Sequence, residues 1–464
     1  MRRLAAALLL VLLASAARAD DPKVLTKIAF GSCVDQDKPV PIFDTMAAAK
    51  PELLLLLGDN MYADLDRKVK VTPDVIREKY KQVEKLPGFV KLKGTCPMLG
   101  TWDDHDYGKN DAGAEWEHKD GAQEAFLDFF GVGKDDPRRK QKGVYHAEIY
   151  GTPGKRVQFI MLDTRYFRSP VKRAPFDPKT KIAGYLPNAD PDATVLGAEQ
   201  WKWLEEQLKK PAEVRFLVSS IQVVSDEHPF EKWANFPKER EKLYALLNST
   251  KANGVIILSG DRHLAEISLD TKSIGYPLYD ITSSGFNQAS KNWRAPEVNS
   301  KRLAAMPFGD NFGLITIDWS GDDPRVNVQV RDEDGDATCG FKVRLSTLKG
   351  TGAGATPMVV EKLPEGVLSP ADAAKKVGEK VTVQFTVGSV GGKANLYLNT
   401  NKDFRAKDNF AVVLTPKVQT GKWAKANAET FVGKTIRVTG TVKLNTDAPQ
   451  LEVADAKDLE IVEK

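Results

Sequence analysis

Leu53-Leu-Leu-Leu-Leu-Leu-Gly-Asp-Asn-Met-Tyr62 decides how this chain is read. Its apolar part, bounded by Pro51 and Gly58, has the character of a strand buried on both faces, as in a parallel sheet covered by helices. Asp59, Asn60 and Tyr62 then stand at the carboxyl end of that strand. In open α/β sheets, ligands gather in the crevice outside the carboxyl ends of the strands. Asp59 is therefore the natural centre of any chemistry.

The same pattern recurs on either side. Lys27-Ile-Ala-Phe-Gly-Ser-Cys33 reads as a strand ending in a turn, and Pro97-Met-Leu-Gly-Thr-Trp102 leads into Asp103-Asp104-His105-Asp106. Arg156–Leu162 delivers Asp163-Thr164-Arg165, Val214–Gln222 is a further apolar strand, and Gly254–Ser259 delivers Gly260-Asp261-Arg262-His263. Helical patterns fall between them: Pro41–Lys50, Thr72–Lys85 with Thr72 as cap and Pro73 at the first position, Asp120–Phe130, Leu196–Leu208 and Lys238–Leu247. From Ile267 to about Leu348 the pattern becomes alternating strands and turns, an antiparallel addition expected to close the far edge of the core. The fold class is α/β.

Residues 349–357 have linker composition, so the expected domains are 20–348 and 358–464. Beyond the linker, five short alternating strands with a helical stretch between the third and fourth resemble a small OB-like β-barrel, a pattern that other small barrels share. Phe385, Tyr397, Phe404 and Phe410 read there as core filling in preference to base-stacking platforms.

Residues 1–19 carry a charged start, a short apolar run and Ala17-Arg18-Ala19, the pattern of a signal peptide, so an exported, periplasmic or extracellular protein without a membrane span is expected. Removing Arg2, Arg3 and Arg18 leaves 64 basic residues of 67 against 63 acidic ones, a net charge of +1 that does not support bulk nucleic-acid binding. Three cysteines in an exported chain is an odd count; Cys33 is the thiol assigned a role other than a disulfide, and pairing of Cys96 with Cys339 is left open.

Collected at the strand ends, these carboxylates repel and raise one another's pKa values unless cations neutralise them. The constellation asks for metal ions. Thiolate, phenolate and imidazole suit a transition metal, whereas carboxylates and amides suit calcium or magnesium, with one bridging carboxylate able to hold both. The loop Asp332-Glu-Asp-Gly-Asp336 reads as a hairpin turn, since its glycine offset does not match a calcium loop, and Trp233 and Phe236 read as packing residues.

From about Leu25 to Leu348 the chain resembles the PhoD-type alkaline phosphatases of the metallophosphoesterase superfamily. The resemblance rests on Gly31-Ser32-Cys33, Gly58-Asp59-Asn60-Met61-Tyr62, Trp102-Asp103-Asp104-His105-Asp106, Leu162-Asp163-Thr164-Arg165, Gly260-Asp261-Arg262-His263 and the loop Gln222–Phe236. It implies a four-layer αββα sandwich. It also implies that Cys33 and Tyr62 bind Fe3+, that Asp59 bridges to Ca2+, that Asp104, Asp261 and His263 complete the metal ligands, and that His105 and Arg165 face the phosphate. Asn60 joins these two as a candidate catalytic residue, although it and Asp106 depart from the family's commoner residues. The expected function is release of phosphate from phosphomonoesters by a metal-activated hydroxide. The rivals are a diesterase using the same site and a non-catalytic exported binding protein with a structural metal.

Overall fold

The computed structural model describes residues 23–176, 183–292, 297–350, 366–392, 394–401, 409–424, 426–432, 434–445 and 448–462. The expected signal peptide, most of the expected linker and Phe404 lie outside them. The chain divides into two compact units at Met358/Val359.

The first unit runs β1 (Lys27–Gly31), α1 (Ile42–Ala48), β2 (Leu53–Leu56), α2 (Pro73–Lys85), α3 (Pro87–Lys93), β3 (Met98–Gly100), α4 (Asp104–Tyr107), α5 (Lys119–Phe129), β4 (His146–Tyr150) and β5 (Val157–Met161). It continues with a short hairpin, β6 (Lys172–Arg173) and β7 (Tyr185–Leu186), then α6 (Gly197–Leu208), β8 (Val214–Val218), α7 (Pro237–Ser249), β9 (Val255–Ser259) and β10 (Ala265–Asp270). It closes with β11 (Leu278–Ser283), β12 (Arg302–Met306), β13 (Asn311–Asp318), β14 (Arg325–Asp332) and β15 (Ala337–Arg344).

Two sheets result, ordered β15-β14-β13-β1-β2-β3 and β12-β10-β11-β9-β8-β5-β4. Strand alternation builds the layers, because successive side chains point to opposite faces. Ile28, Phe30, Leu53 and Leu55 share a core with Phe159, Ile160, Phe216 and Ile257 of the second sheet, and that core continues to Trp201 and Leu204 of α6 and Leu243 of α7. Ala29, Leu54 and Leu56 instead join Phe43, Ile76, Phe89 and Phe126 of α1, α2, α3 and α5. The order is helices, sheet, sheet, helices. Thr72 caps α2 as expected, its hydroxyl accepting from the Val75 amide at 3.4 Å.

The antiparallel strands do not close a single edge, as their sequence pattern suggests they should. β10, β11 and β12 extend the second sheet while β13, β14 and β15 extend the first beside β1, where Ala29 faces Leu314. Period-2 alternation looks the same whichever sheet a strand joins, so the division is set by packing. The Asp332–Asp336 loop is the β14–β15 turn, with the Asp336 amide donating to Asp332 Oδ1 at 2.8 Å. Trp233 and Phe236 are buried in the core. Cys33, Cys96 and Cys339 all carry free thiols.

In the second unit the described strands form one sheet, antiparallel in most of its pairings, whose longest member, Thr435–Asn445, pairs with Lys380–Thr386, Ala448–Glu452 and Leu459–Ile461. Among the described residues its outermost strands do not pair with each other, so barrel closure is not seen. Phe385 and Phe410 fill its core. No helix among the described residues is long and apolar enough to cross a membrane.

Candidate metal centre

The carboxyl ends of β1, β2 and β3 in one sheet and β9 in the other converge on one cleft of about 470 Å³, lined by Asp59, Asp104, His105, Asp261 and His263. The turns that bring them there are tight. The Leu57 amide donates to Gly31 O at 2.9 Å and the Val34 amide to Asp59 O at 2.9 Å, which ties the end of β1 to that of β2. Gly58 has φ +113°, and a Cβ there would lie 2.6 Å from Asp103 Cβ, so only glycine fits the turn before Asp59. Cys33 (φ 70°), Asp59 (46°), Asp261 (69°) and His263 (52°) all hold left-handed backbone. That conformation costs a residue with a Cβ roughly 1–2 kcal/mol, and such strain clusters where function over-determines geometry.

Side-chain donors then meet in three linked groups. Cys33, Asp59 and His263 form one, Asp59, Asp104 and His105 a second, and Asp103, Asp104 and Asp261 a third, each with ligand atoms within 4.8 Å of one another. Asp59 and Asp104 are the shared members. Tyr62 belongs to the first group, its hydroxyl 3.2 Å from Asp59 Oδ2 and 2.9 Å from His263 Nε2. Cys33 Sγ lies 3.4 Å from Asp59 Oδ2, and Ser284 links Cys33 to the His263 amide.

Electrostatics tests whether these residues fit cations. Burial, followed by the charge of Asp59, pushes the Cys33 thiol and the Tyr62 phenol well above their ordinary values. Burial, reinforced by neighbouring carboxylates, does the same to Asp59, Asp103 and Asp261. Burial also acts to raise Asp104, but His105, Arg165 and the Asp111 amide outweigh it and hold that carboxyl low. Asp103 Oδ2, Asp104 Oδ1 and Asp261 Oδ2 are buried without a hydrogen-bond partner. An acceptor-only oxygen left bare in a buried acidic cluster is costly unless a cation takes its lone pairs. Sulfur, phenol and imidazole around Asp59 fit a transition metal; the oxygen-only group of Asp103, Asp104 and Asp261 fits a harder ion.

Four sequence-derived candidates do not line the cleft: Cys33 and Tyr62 lie buried behind it against Asp59, whereas Asn60 and Arg165 are engaged elsewhere. Asn60 is buried with its Nδ2 donating to Thr101 O at 2.9 Å and to Asp106 Oδ2 at 2.6 Å. Asp106 also accepts from the Asp103 amide at 2.7 Å and Tyr80 at 3.1 Å, so this pair braces the start of α4. Arg165, expected to face the phosphate, is fully buried: its Nε donates to Asp103 Oδ1 at 2.6 Å and its Nη1 stands 2.6 Å from Glu231 Oε2. Arg168 pairs with the other oxygen of Glu231 at 2.9 Å.

Other residues join the site that the expected ligand and catalytic set left out. Asp103 completes the third group. Asp64 Oδ1 is 2.5 Å from His105 Nδ1 and its other oxygen accepts from the Asn110 amide, which fixes the ring. Burial alone would lower His105, yet Asp104, Asp59 and Asp64 carry it well above the ordinary histidine value. Glu231, Tyr185, Phe230 and Arg262 line the cleft wall. Asp103 and Arg262 carried the strand-end signal; Glu231 and Phe230 lay within the quoted loop, without a signal of their own, and Tyr185 had none.

A family model described as PhoD-like phosphatase matches residues 28–274, over half the chain. Alkaline phosphatase D of Bacillus subtilis (strain 168) is 24% identical over 336 residues, covering 62% of this chain and 56% of that protein, so the chain spans about half the length of this curated relative. A solved structure described as "Structure of PhoD" superposes with a TM-score of 0.54 at 16% identity, covering 73% of this chain and 75% of that one, a likeness of fold.

Proposed function

The chain belongs to the PhoD-like phosphatase family, and from that premise we propose that it is a metal-dependent phosphoester hydrolase that releases phosphate from monoesters after export. The observation that supports this most is the linkage of three ligand groups through Asp59 and Asp104 at one open cleft. In this reading Cys33, Tyr62, His263 and Asp59 hold an Fe3+ ion, and Asp59, with Asp103, Asp104 and Asp261, holds Ca2+ or another divalent ion. The chemistry such ions supply is Lewis-acid polarisation of the phosphoryl oxygens and acidification of a water near neutral pH.

The chain's own residues do the rest. Asp64 holds His105 Nδ1, so Nε2 is the ring atom left for the phosphate or the leaving oxygen. Arg165, itself held by Glu231, keeps Asp103 in place as a positioning residue. The signal-peptide pattern of residues 1–19 supports action outside the cytoplasm, and residues 358–464 form an appended OB-like β domain in this reading.

Elemental analysis of the purified protein, with an absorption scan and p-nitrophenyl phosphate turnover before and after chelation, tests the proposal. The expected result is near-stoichiometric iron, a visible charge-transfer band from Tyr62 or Cys33, calcium beside it, and turnover that chelation abolishes and metal restores. Tightly bound metal with no turnover of mono- or diesters would leave a binding protein in place of an enzyme.

A further inference from the structure

Four arginines lie on or behind the cleft; Arg168 is buried against Glu231, and the surroundings of the other three differ. Arg165 is fully buried and its guanidinium is spent on Asp103 and Glu231. Arg173 sits on the β6–β7 hairpin over the Tyr185 ring at 5.3 Å with a side chain 63% exposed, a rim group. Arg262 lines the cleft itself, one residue from both Asp261 and His263, and is only 7% exposed.

Arg262 is held more loosely than Arg165, whose Nη1 and Nη2 also lack a hydrogen bond but stand close against carboxylates. A guanidinium carries five N–H donors and no acceptor. Its Nη1 stands 3.7 Å from Asp261 Oδ2 and its Nη2 3.3 Å from Glu297 Oε1, and Nη2 is buried without a hydrogen-bond partner. The Phe230 ring, 4.0 Å below, fixes the plane of the fork by a cation–π contact. A cleft-lining guanidinium whose Nη2 has no hydrogen bond and whose ion pairs are long suits one class of ligand, a tetrahedral oxyanion presenting two oxygens.

We propose that Arg262 is the substrate-binding guanidinium of this cleft: it receives two non-bridging oxygens of the phosphoryl group and so favours a monoester dianion over a diester. This rests on the phosphoesterase reading above. The selectivity follows from the substrate's chemistry. A monoester offers three terminal oxygens sharing nearly two charges, whereas a diester has one of those oxygens capped by carbon and a single charge to give the fork.

R262M and R262K are the test, with metal content and thermal melting measured on each. Inorganic phosphate binding by calorimetry gives a readout independent of turnover. The expected result for R262M is a loss of about 100-fold in kcat/KM for p-nitrophenyl phosphate and of less than about fivefold for bis(p-nitrophenyl) phosphate, the scale set by removing one transition-state donor. Phosphate affinity should fall by at least about tenfold, with R262K intermediate because it keeps charge but not the fork. Equal losses on the two esters, or unchanged phosphate affinity in a folded, metal-loaded R262M, would overturn the proposal; where R262M does not fold, R262K with wild-type phosphate affinity and selectivity does so. Wild-type protein that binds phosphate through Arg262 yet hydrolyses neither ester would instead overturn the phosphoesterase reading and leave Arg262 as an anion site.

Discussion

Three nitrogens of Arg165 face carboxylates: Nε and Nη2 reach Asp103 and Nη1 reaches Glu231. Removing one partner of a buried ion pair leaves the other charges uncompensated, which costs far more than the pair contributes relative to an apolar replacement. R165M strands both Asp103 and Glu231, so it is expected to lose about 3–5 kcal/mol of stability, read as a shifted urea midpoint with unchanged slope. An unaltered midpoint with lost turnover would return Arg165 to the phosphate. The residue shows where sequence reading stops. Asp163-Thr164-Arg165 at a strand end locates a side chain at the cleft end of the sheet, but its direction depends on Glu231, supplied by a distant loop. The convergence of Cys33, Asp59, Tyr62 and His263 was legible because they follow apolar strands of one core, while their ligand roles came from the resemblance; the direction of Asn60 was not legible, since it depends on Asp106 and Tyr80.

At the scale of elements, β4 leaves no clear trace in the sequence because it is a short edge strand, half exposed, and among the described residues pairs with β5 alone. Its first residue carries a pH dependence. His146 is buried at the start of β4, its Nδ1 3.0 Å from Val144 O, and burial, with Arg138 opposing the charge, pushes it down to about 4. Below the ordinary histidine value of about 6.5 the unfolded chain takes up a proton that the folded chain refuses. The stability that neutral His146 contributes is therefore complete above pH 6.5 and lost as pH falls toward 4, roughly 3 kcal/mol over that window. H146Q keeps a donor for Val144 O and has nothing to titrate. Urea melts at pH 7.5 and pH 5 should find the variant close to wild type at the higher pH and relatively more stable at the lower. A wild-type-minus-variant difference that does not change with pH would remove His146 from the acid response. Five helices and the parallel strands, by contrast, were legible within a few residues, because capping and uninterrupted apolar runs are local signals; the short α3 and α4 were not read, and the sheet chosen by β10 to β15 is not local and was not either.

For the whole molecule, the cores decide what can be separated. Every candidate ligand lies before residue 264, and the buried clusters of the first unit end at Leu348, whereas the second unit's cluster runs from Ala373 to Leu459 with no member in common. The boundary must respect Leu345 and Leu348, which are buried in the first core, and the Gly254 amide, which donates to Leu348 O at 2.7 Å. A chain ending at Gly350 keeps all three, so it is expected to fold, retain its metals, and turn over p-nitrophenyl phosphate within about twofold of the full-length protein, as an independently cored domain should. A chain ending at Arg344 loses two buried leucines at about 2–3 kcal/mol each and should melt well below it. If the Gly350 chain folds with the melting behaviour of the first unit but loses metal or turnover, the second unit supplies something to the site that the ligand set of the first does not contain. If it retains both, the second unit is dispensable for turnover of small esters, and comparing kcat/KM on small and polymeric phosphoesters between the two lengths tests whether it contributes to larger substrates.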